Sequence, residues 1–300
     1  QATEKYDNFT PRVILTWQPV DDLTLYGSWA QAALPGLRNS NTSLFFPDIQ
    51  ARVRAYPGYV DVVPEEKLDN YELGIKQKLE RFRYALTAYH MKWSNLKDNV
   101  FTQCRFFVAC GDTVITPFAR TTLPTDAEIS GFEAEVDVVL TPGWSVAASA
   151  AYNNAEYDAY FSPLAVTATG QTSGAGKRIY GFPSLQGTLS SGYTRPLTTD
   201  WSGFVNGEVL YTGKIYVDEI NQAWIGDAAR VNLRFGAERD DLRLEAYVEN
   251  VFNDKTWLSG ARANQSFQAP GAPFAANEVA AAVVLPRLRT YGIRVRFQFD

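Results

Sequence analysis

Histidine is almost missing from this sequence. His90 is the only one in 300 residues, and only two cysteines, Cys104 and Cys110, accompany it. Metal centres built from imidazole and thiolate groups lack ligands here. A His-dependent hydrolase would have to use His90, beside which no acid or nucleophile is identifiable. No enzymatic activity, cofactor or resident metal is therefore expected. Long apolar runs are missing as well. The longest candidate, Val279 to Leu285, falls far short of the ~20 residues of a membrane-spanning helix. That excludes helical insertion but leaves a β-barrel open, because only alternate barrel residues meet lipid. There is no basic run, and the net charge of −5 gives no footprint for nucleic acid.

What the chain does have is alternation and a heavy aromatic load, 14% of all residues, more than an ordinary soluble domain carries. The clearest stretch is the hairpin from Asp227 to Asn253. Val231, Leu233, Phe235 and Ala237 project to one face, and Arg230, Asn232, Arg234 and Glu238 to the other. After the turn at Arg239-Asp240-Asp241, Leu242, Leu244, Ala246 and Val248 oppose Arg243, Glu245, Tyr247 and Glu249. The charged face is too ionic for a close-packed interior. Two arrangements satisfy such a ribbon: a soluble sheet lying on a core, or a membrane barrel with lipid outside and a wet lumen inside.

The remainder of the chain favours the barrel. Similar amphipathic segments recur to give about eleven strands, many of ten or more residues, longer than the usual ~5–6. Tight turns and long connections alternate without exception. In an up-and-down sheet, all tight turns then share one rim and all long loops the other, the layout of outer-membrane barrels. Trp17, Phe82, Trp144, Tyr193 and Trp201 all lie next to tight turns, where an aromatic girdle belongs. The expected fold is an all-β, antiparallel up-and-down transmembrane β-barrel. In the strand from Phe82 to Asn95 the large residues change face after Ala88, to Tyr89, Met91 and Trp93, which predicts a β-bulge there. Cys104 and Cys110, close together in a polar and aromatic connection, suit a small disulfide loop in an oxidising compartment, the alternative being two free thiols.

Several short motifs, weak singly, are specific in combination. They are Phe9-Thr10-Pro11-Arg12 leading to Leu25-Tyr26-Gly27-Ser28-Trp29, and Pro64-Glu65-Glu66 with Asn70-Tyr71-Glu72-Leu73-Gly74-Ile75-Lys76. Ser130-Gly131-Phe132-Glu133, Val248-Glu249-Asn250-Val251-Phe252-Asn253-Asp254, and Pro286-Arg287 with Arg289-Thr290-Tyr291-Gly292 follow in order. On these residues the chain resembles the C-terminal half of the barrel of a TonB-dependent outer-membrane receptor. The ending, with Thr290, Gly292, Val295, Phe297 and Phe299 followed by Asp300, is similar to the signal read by the outer-membrane assembly machinery.

The resemblance implies a barrel of 22 strands, of which residues 1–300 correspond to the latter half, the signal peptide, plug domain and first half lying outside this sequence. It also implies TonB-coupled import of a scarce bulky ligand, foremost a ferric siderophore, with cobalamin, haem and saccharides as other cargoes. A passive porin is the rival reading. Implied partners are outer-membrane lipid and lipopolysaccharide, the TonB complex through the missing N-terminal region, and the barrel assembly machinery. Ligand contacts are expected from loop aromatics Phe45, Phe46, Tyr56, Tyr59, Phe106, Phe107, Tyr160, Phe161 and Trp224, and from loop arginines Arg52, Arg54, Arg105 and Arg178 for an anionic chelate. For each of these the alternative is loop-to-loop packing or contact with lipopolysaccharide.

Overall fold

Eleven strands hydrogen-bond side by side into one antiparallel sheet. The structure, a computed structural model, describes residues 7–39, 47–54, 58–102, 119–160, 173–262 and 281–299. From the first residue onward the strands are β1 (Arg12–Val20), β2 (Leu23–Leu34), β3 (Leu37–Arg38), β4 (Val62–Val63), β5 (Glu66–Lys78) and β6 (Phe82–Thr102). Then come β7 (Ala119–Thr141), β8 (Trp144–Ala159), β9 (Leu185–Pro196), β10 (Ser202–Thr212), β11 (Ile215–Tyr216) and β12 (Trp224–Ile225). The last are β13 (Ala228–Arg239), β14 (Leu242–Glu249), β15 (Ser259–Arg262), β16 (Ala281–Val284) and β17 (Thr290–Phe297). The one helix among the described residues, α1 (Pro47–Arg54), lies in the first long connection. The large sheet runs β1-β2-β5-β6-β7-β8-β9-β10-β13-β14-β17, and the two-residue and four-residue strands pair only within the loops. The up-and-down order expected from the sequence is the order observed.

Register carries each face across the whole sheet. One row of direct partners runs Leu15, Gly27, Leu73, Ala88, Phe132, Tyr152, Leu185. The row beside it runs Thr16, Tyr26, Gly74, Thr87, Glu133, Ala151, Gln186. The first face is apolar yet uncovered: Leu15 is 74% exposed, Leu73 69% and Ile293 81%. A continuous apolar surface of this extent requires a non-aqueous neighbour. No helix among the described residues is long and apolar enough to cross a membrane, so any crossing falls to the strands.

Aromatics edge the apolar face at both ends. Beside the girdle at the tight turns there is a second row toward the loops, with Trp29, Tyr71, Phe132, Tyr152, Tyr211 and Tyr291 on outward positions. Trp144 and Tyr152 on β8 are separated by about 27 Å along the strand, or about 20 Å of height at a ~40° tilt, close to the ~25 Å apolar band of such barrels.

The inward face uses glycine to seat large rings. Tyr26 lies opposite Gly74, Tyr89 opposite Gly131, Phe204 opposite Gly236 and Tyr247 opposite Gly292. In each pair a methyl group in place of the glycine hydrogen would overlap the facing ring. Three of these glycines belong to the motifs singled out in the sequence, and their role is steric: each ring lies flat on the neighbouring strand instead of projecting into the lumen.

Two details differ from expectation. Tyr89, Met91 and Trp93 face inward with unbroken pairing from Lys67↔Ser94 to Lys78↔Arg83, so there is no bulge after Ala88. The break comes between Trp93 and Leu96, where Asn95 takes a left-handed conformation, φ 56°. Furthermore, β6 and β7 extend to 21 and 23 residues and pair through much of the expected connection at 96–126. There the alternation fades because loops cover the strands. Thr121, Thr122, Leu123 and Thr125 are all buried.

Candidate functional site

The inward wall of the sheet is built from half-exposed ion pairs. Near the tight turns Arg83 grips Asp137 through Nε and Nη2 at 2.9 and 2.7 Å. At the other side of the sheet Glu245, almost fully buried, accepts hydrogen bonds from Arg243 at 3.3 Å and Arg294 at 3.0 Å. Arg243 also donates to Glu238 at 2.7 Å, and its guanidinium lies 3.8 Å above the Phe204 ring. Asn232 donates to Glu208 at 3.0 Å between these groups. Each charge has a partner, and all but Glu245 keep part of their surface exposed, an arrangement suited to a hydrated passage and not to a dry core.

Toward the loops the wall changes character. A cavity of about 450 Å3 opens on the inward side, within the range of ligand pockets. Tyr89, Met91 and Trp93 of β6 supply one wall, with Tyr157 of β8, Tyr180 and Phe182 facing them. Alternation on β6 and β8 sets these side chains inward. Trp93 is fixed by its indole N–H, which donates to Glu66 Oε1 at 2.8 Å, while Lys97 approaches Glu66 Oε2 at 3.4 Å. Beneath, Ala127, Ala155, Tyr157, Tyr160 and Ile179 form a packed cluster. Ala155, Tyr157 and Ile179 of this buried cluster line the cavity, and its rim carries aromatic surface.

Tyr160 anchors that cluster. Its ring stands 4.5 Å from that of Tyr157, and its hydroxyl donates to Asp98 Oδ2 at 2.7 Å. Burial first, and then the negative charge of Asp98, push its hydroxyl pKa well above the ordinary tyrosine value. The folded state thus keeps the neutral phenol. Its contribution to stability is complete below the unfolded pKa near 10 and is lost as pH rises beyond it. Heat-modifiability gels between pH 8 and 11.5 should show the wild type weakening above about pH 10. A Tyr160→Phe variant should be flatter over that range. An identical alkaline profile in both would contradict this assignment.

Three asparagines fasten loops to the wall by pairing a side-chain amide with a main-chain peptide. Asn39 donates to Thr122 O at 2.8 Å and accepts from Thr122 N at 2.9 Å. Asn221 treats Arg178 in the same way, at 2.9 and 2.8 Å. Asn250 holds Asp254 O and Arg287 O at 2.9 and 3.1 Å. Each replaces a missing strand partner, so buried peptide groups stay satisfied where the sheet ends.

The expected ligand contacts are distributed unevenly. Tyr160 is buried in the cluster, and Arg178 is committed to Asn154 Oδ1 at 2.7 Å and Asn153 O at 2.6 Å. Both line up with loop packing. Trp224 is 56% exposed, with the Lys214 ammonium 4.3 Å from its ring centre and 4.4 Å from that of Tyr216. Arg54 and Tyr59 share Asp61 Oδ1, at 3.2 and 3.0 Å, and Arg52 lies in α1. Phe45, Phe46, Tyr56, Arg105, Phe106, Phe107 and Phe161 lie outside the described residues, as do Cys104 and Cys110. In the closing strand, Thr290 pairs with Glu249 and Gly292 seats Tyr247, while Val295 and Phe297 face outward and the Phe299 ring stands 4.8 Å from that of Phe297. Sequence reasoning missed the cavity wall. The available signal was the run of large residues at alternate positions 89, 91 and 93, on the face that β6 fills before them with Arg83, Ala85 and Thr87.

The family model described as TonB dependent receptor-like, beta-barrel matches residues 1–251. No curated relative matches the sequence. Among solved structures, the chain is similar to the ferric yersiniabactin uptake receptor FyuA from Yersinia pestis, with TM-score 0.66, 18% identity, 96% of this chain and 37% of that one. It is also similar to the ferripyoverdine receptor of the outer membrane of Pseudomonas aeruginosa bound to ferripyoverdine, with TM-score 0.63, 18% identity, 98% of this chain and 33% of that one. The copper transporter OprC aligns with TM-score 0.60 and 17% identity, over 97% of this chain and 39% of that one. At these identities the likeness is one of fold, and the chain spans well under half the length of each structure.

Proposed function

This chain belongs to the TonB-dependent receptor β-barrel family, and from that premise we propose that its full-length parent is an outer-membrane receptor importing a scarce, bulky metal chelate. A ferric siderophore is the leading cargo. The observation that carries the reading is the aromatic cavity at the loop end of an otherwise ionic inward wall. A planar or greasy chelate gains contact area there, while the hydrated wall below offers it little to adhere to. Energy from TonB would release it inward. In this reading lipid and lipopolysaccharide surround the apolar face, and the barrel assembly machinery recognises the closing strand with Phe297 and Phe299. Loop residues such as Trp224 would make first contact with the cargo.

The test uses the full-length protein in cells. Iron-limited growth and radiolabelled uptake should be supported by at least one ferric siderophore from a panel, and abolished when TonB is absent. A copper arm covers the other metal cargo named among the structural neighbours. Uptake that persists at full rate without TonB would make the barrel a passive channel. Met91→Ala with Phe182→Ala, two cavity residues that make no polar anchor, should weaken cargo binding by about tenfold while barrel stability is retained. Unchanged affinity would remove the cavity from the reading without touching the transport claim.

A further inference from the structure

On the outward face, near the tight-turn rim, a groove of about 640 Å3 crosses the sheet between β9 and β17. Gly203 and Ala237 keep its floor shallow, and Val205, Phe235 and Ile293 form its apolar sides. Arg195 stands at the turn-side end, directly across from Gly203. Arg239 lies on the far side of β10, its guanidinium 5.5 Å from the centre of the Trp201 ring. The exposed side chain of Leu197 covers Gly203 between them. Four of the other arginines on the sheet, Arg83, Arg234, Arg243 and Arg294, pair with carboxylates. Among the described residues Arg195 and Arg239 pair with none, although Asp200, Asp240 and Asp241 occupy the neighbouring turns.

An unpaired cation on a lipid-facing surface is costly unless it meets an anion at the interface. β9 and β13 flank β10, so the two backbones are about 10 Å apart. Two arginine side chains can converge on one phosphate over that distance. The apolar groove continues from this point toward the membrane interior.

We propose that this groove is a binding site for one anionic phospholipid of the periplasmic leaflet, its phosphate held by Arg195 and Arg239 and an acyl chain lying along the groove. Two arginines that no carboxylate pairs with favour a net-negative head group over a zwitterionic one, whose ammonium they would repel. Arg195 in the groove lining, with Arg239 close by, favours a lipid over a free phosphate, because the apolar sides of the groove offer a phosphate alone nothing to bind. The site rests on the membrane orientation proposed above but not on the cargo, since it lies on the opposite face from the cavity.

Native mass spectrometry on the full-length protein in detergent tests it, with phosphatidylglycerol and phosphatidylethanolamine offered in parallel. The wild type should retain phosphatidylglycerol at about tenfold lower concentration. Arg195→Gln with Arg239→Gln should abolish the preference. Arg195→Lys with Arg239→Lys should keep part of it, and Arg81→Gln, in the β5–β6 turn farther along the same rim, should keep all of it. Equal retention of the two lipids by the wild type overturns the proposal, whatever the variants do. So does an unchanged preference in the glutamine pair, competition by glycerol phosphate as strong as by the lipid, or a protein dimer in place of the lipid adduct. TonB-dependent uptake measured on the same variants separates failure of this site from failure of the transport reading.

Discussion

An arginine at position 189 is expected to destabilise the barrel in a bilayer by about 2–4 kcal/mol, and an arginine one residue later to cost almost nothing. Leu189 pairs with Ala148 and Val209 on the apolar face, midway between the girdle residues on either side. Ser190 pairs with Ala147 and Glu208 on the inward face, where a cation finds water and a carboxylate. Unfolding of the full-length protein from lipid vesicles by guanidinium, followed by tryptophan emission, would measure both. If the outward face met water instead of lipid, Leu189→Arg would be as mild as Ser190→Arg. Equal effects would therefore end the membrane assignment, which makes this pair the most informative single comparison.

Substitution of Gly236 should be worse still. A Cβ at Gly236 would clash with the carbonyl oxygen of Leu244 on one side and come within 2.8 Å of Phe204 Cζ on the other. Of these, the Leu244 carbonyl is backbone in a paired strand, opposite Ala237, and cannot step aside without breaking register. Gly236→Leu is expected to cost about 3 kcal/mol or more and to leave the full-length protein unassembled, seen as loss of the heat-modifiable band. Gly74→Ala is the control. The three atoms nearest an added Cβ there all belong to the Tyr26 side chain, which can give way, so adding Tyr26→Ala should restore stability. The corresponding Phe204→Ala should rescue Gly236→Leu only in part. Full rescue at Gly236 would show that the ring, and not the backbone, sets the limit.

Much of the architecture was legible because a strand advertises its faces. Successive side chains point opposite ways, so one residue of context assigns each position, and the hairpin from 227 to 253 carried that pattern up to Arg239, which the sequence placed in the turn and the structure places at the end of β13 on the apolar face. Strand order followed from the alternation of tight and long connections, since an up-and-down chain has no other economical path. The girdle beside the tight turns was visible because turn residues mark that rim. Its counterpart toward the loops was not, because Trp29, Tyr71 and Tyr152 sit inside long strands with no local landmark to show where the apolar band ends.

The candidate site was less legible. Residue type and loop position left Tyr160 and Arg178 open to either ligand contact or loop packing, and in the fold both are engaged in packing and loop anchoring. A buried tyrosine hydrogen-bonded to Asp98 and an exposed one have the same neighbours in sequence. What distinguishes them is an aspartate 62 residues away.

The sequence by itself determined the two faces, the number of principal strands and their order, because these depend on period-2 alternation and on turns, which are local. Only the tertiary structure decided which inward residues converge on one cavity, which glycines seat a ring, and which arginines find a carboxylate. Those depend on register between strands far apart in the chain, and register is set by the packing of whole faces.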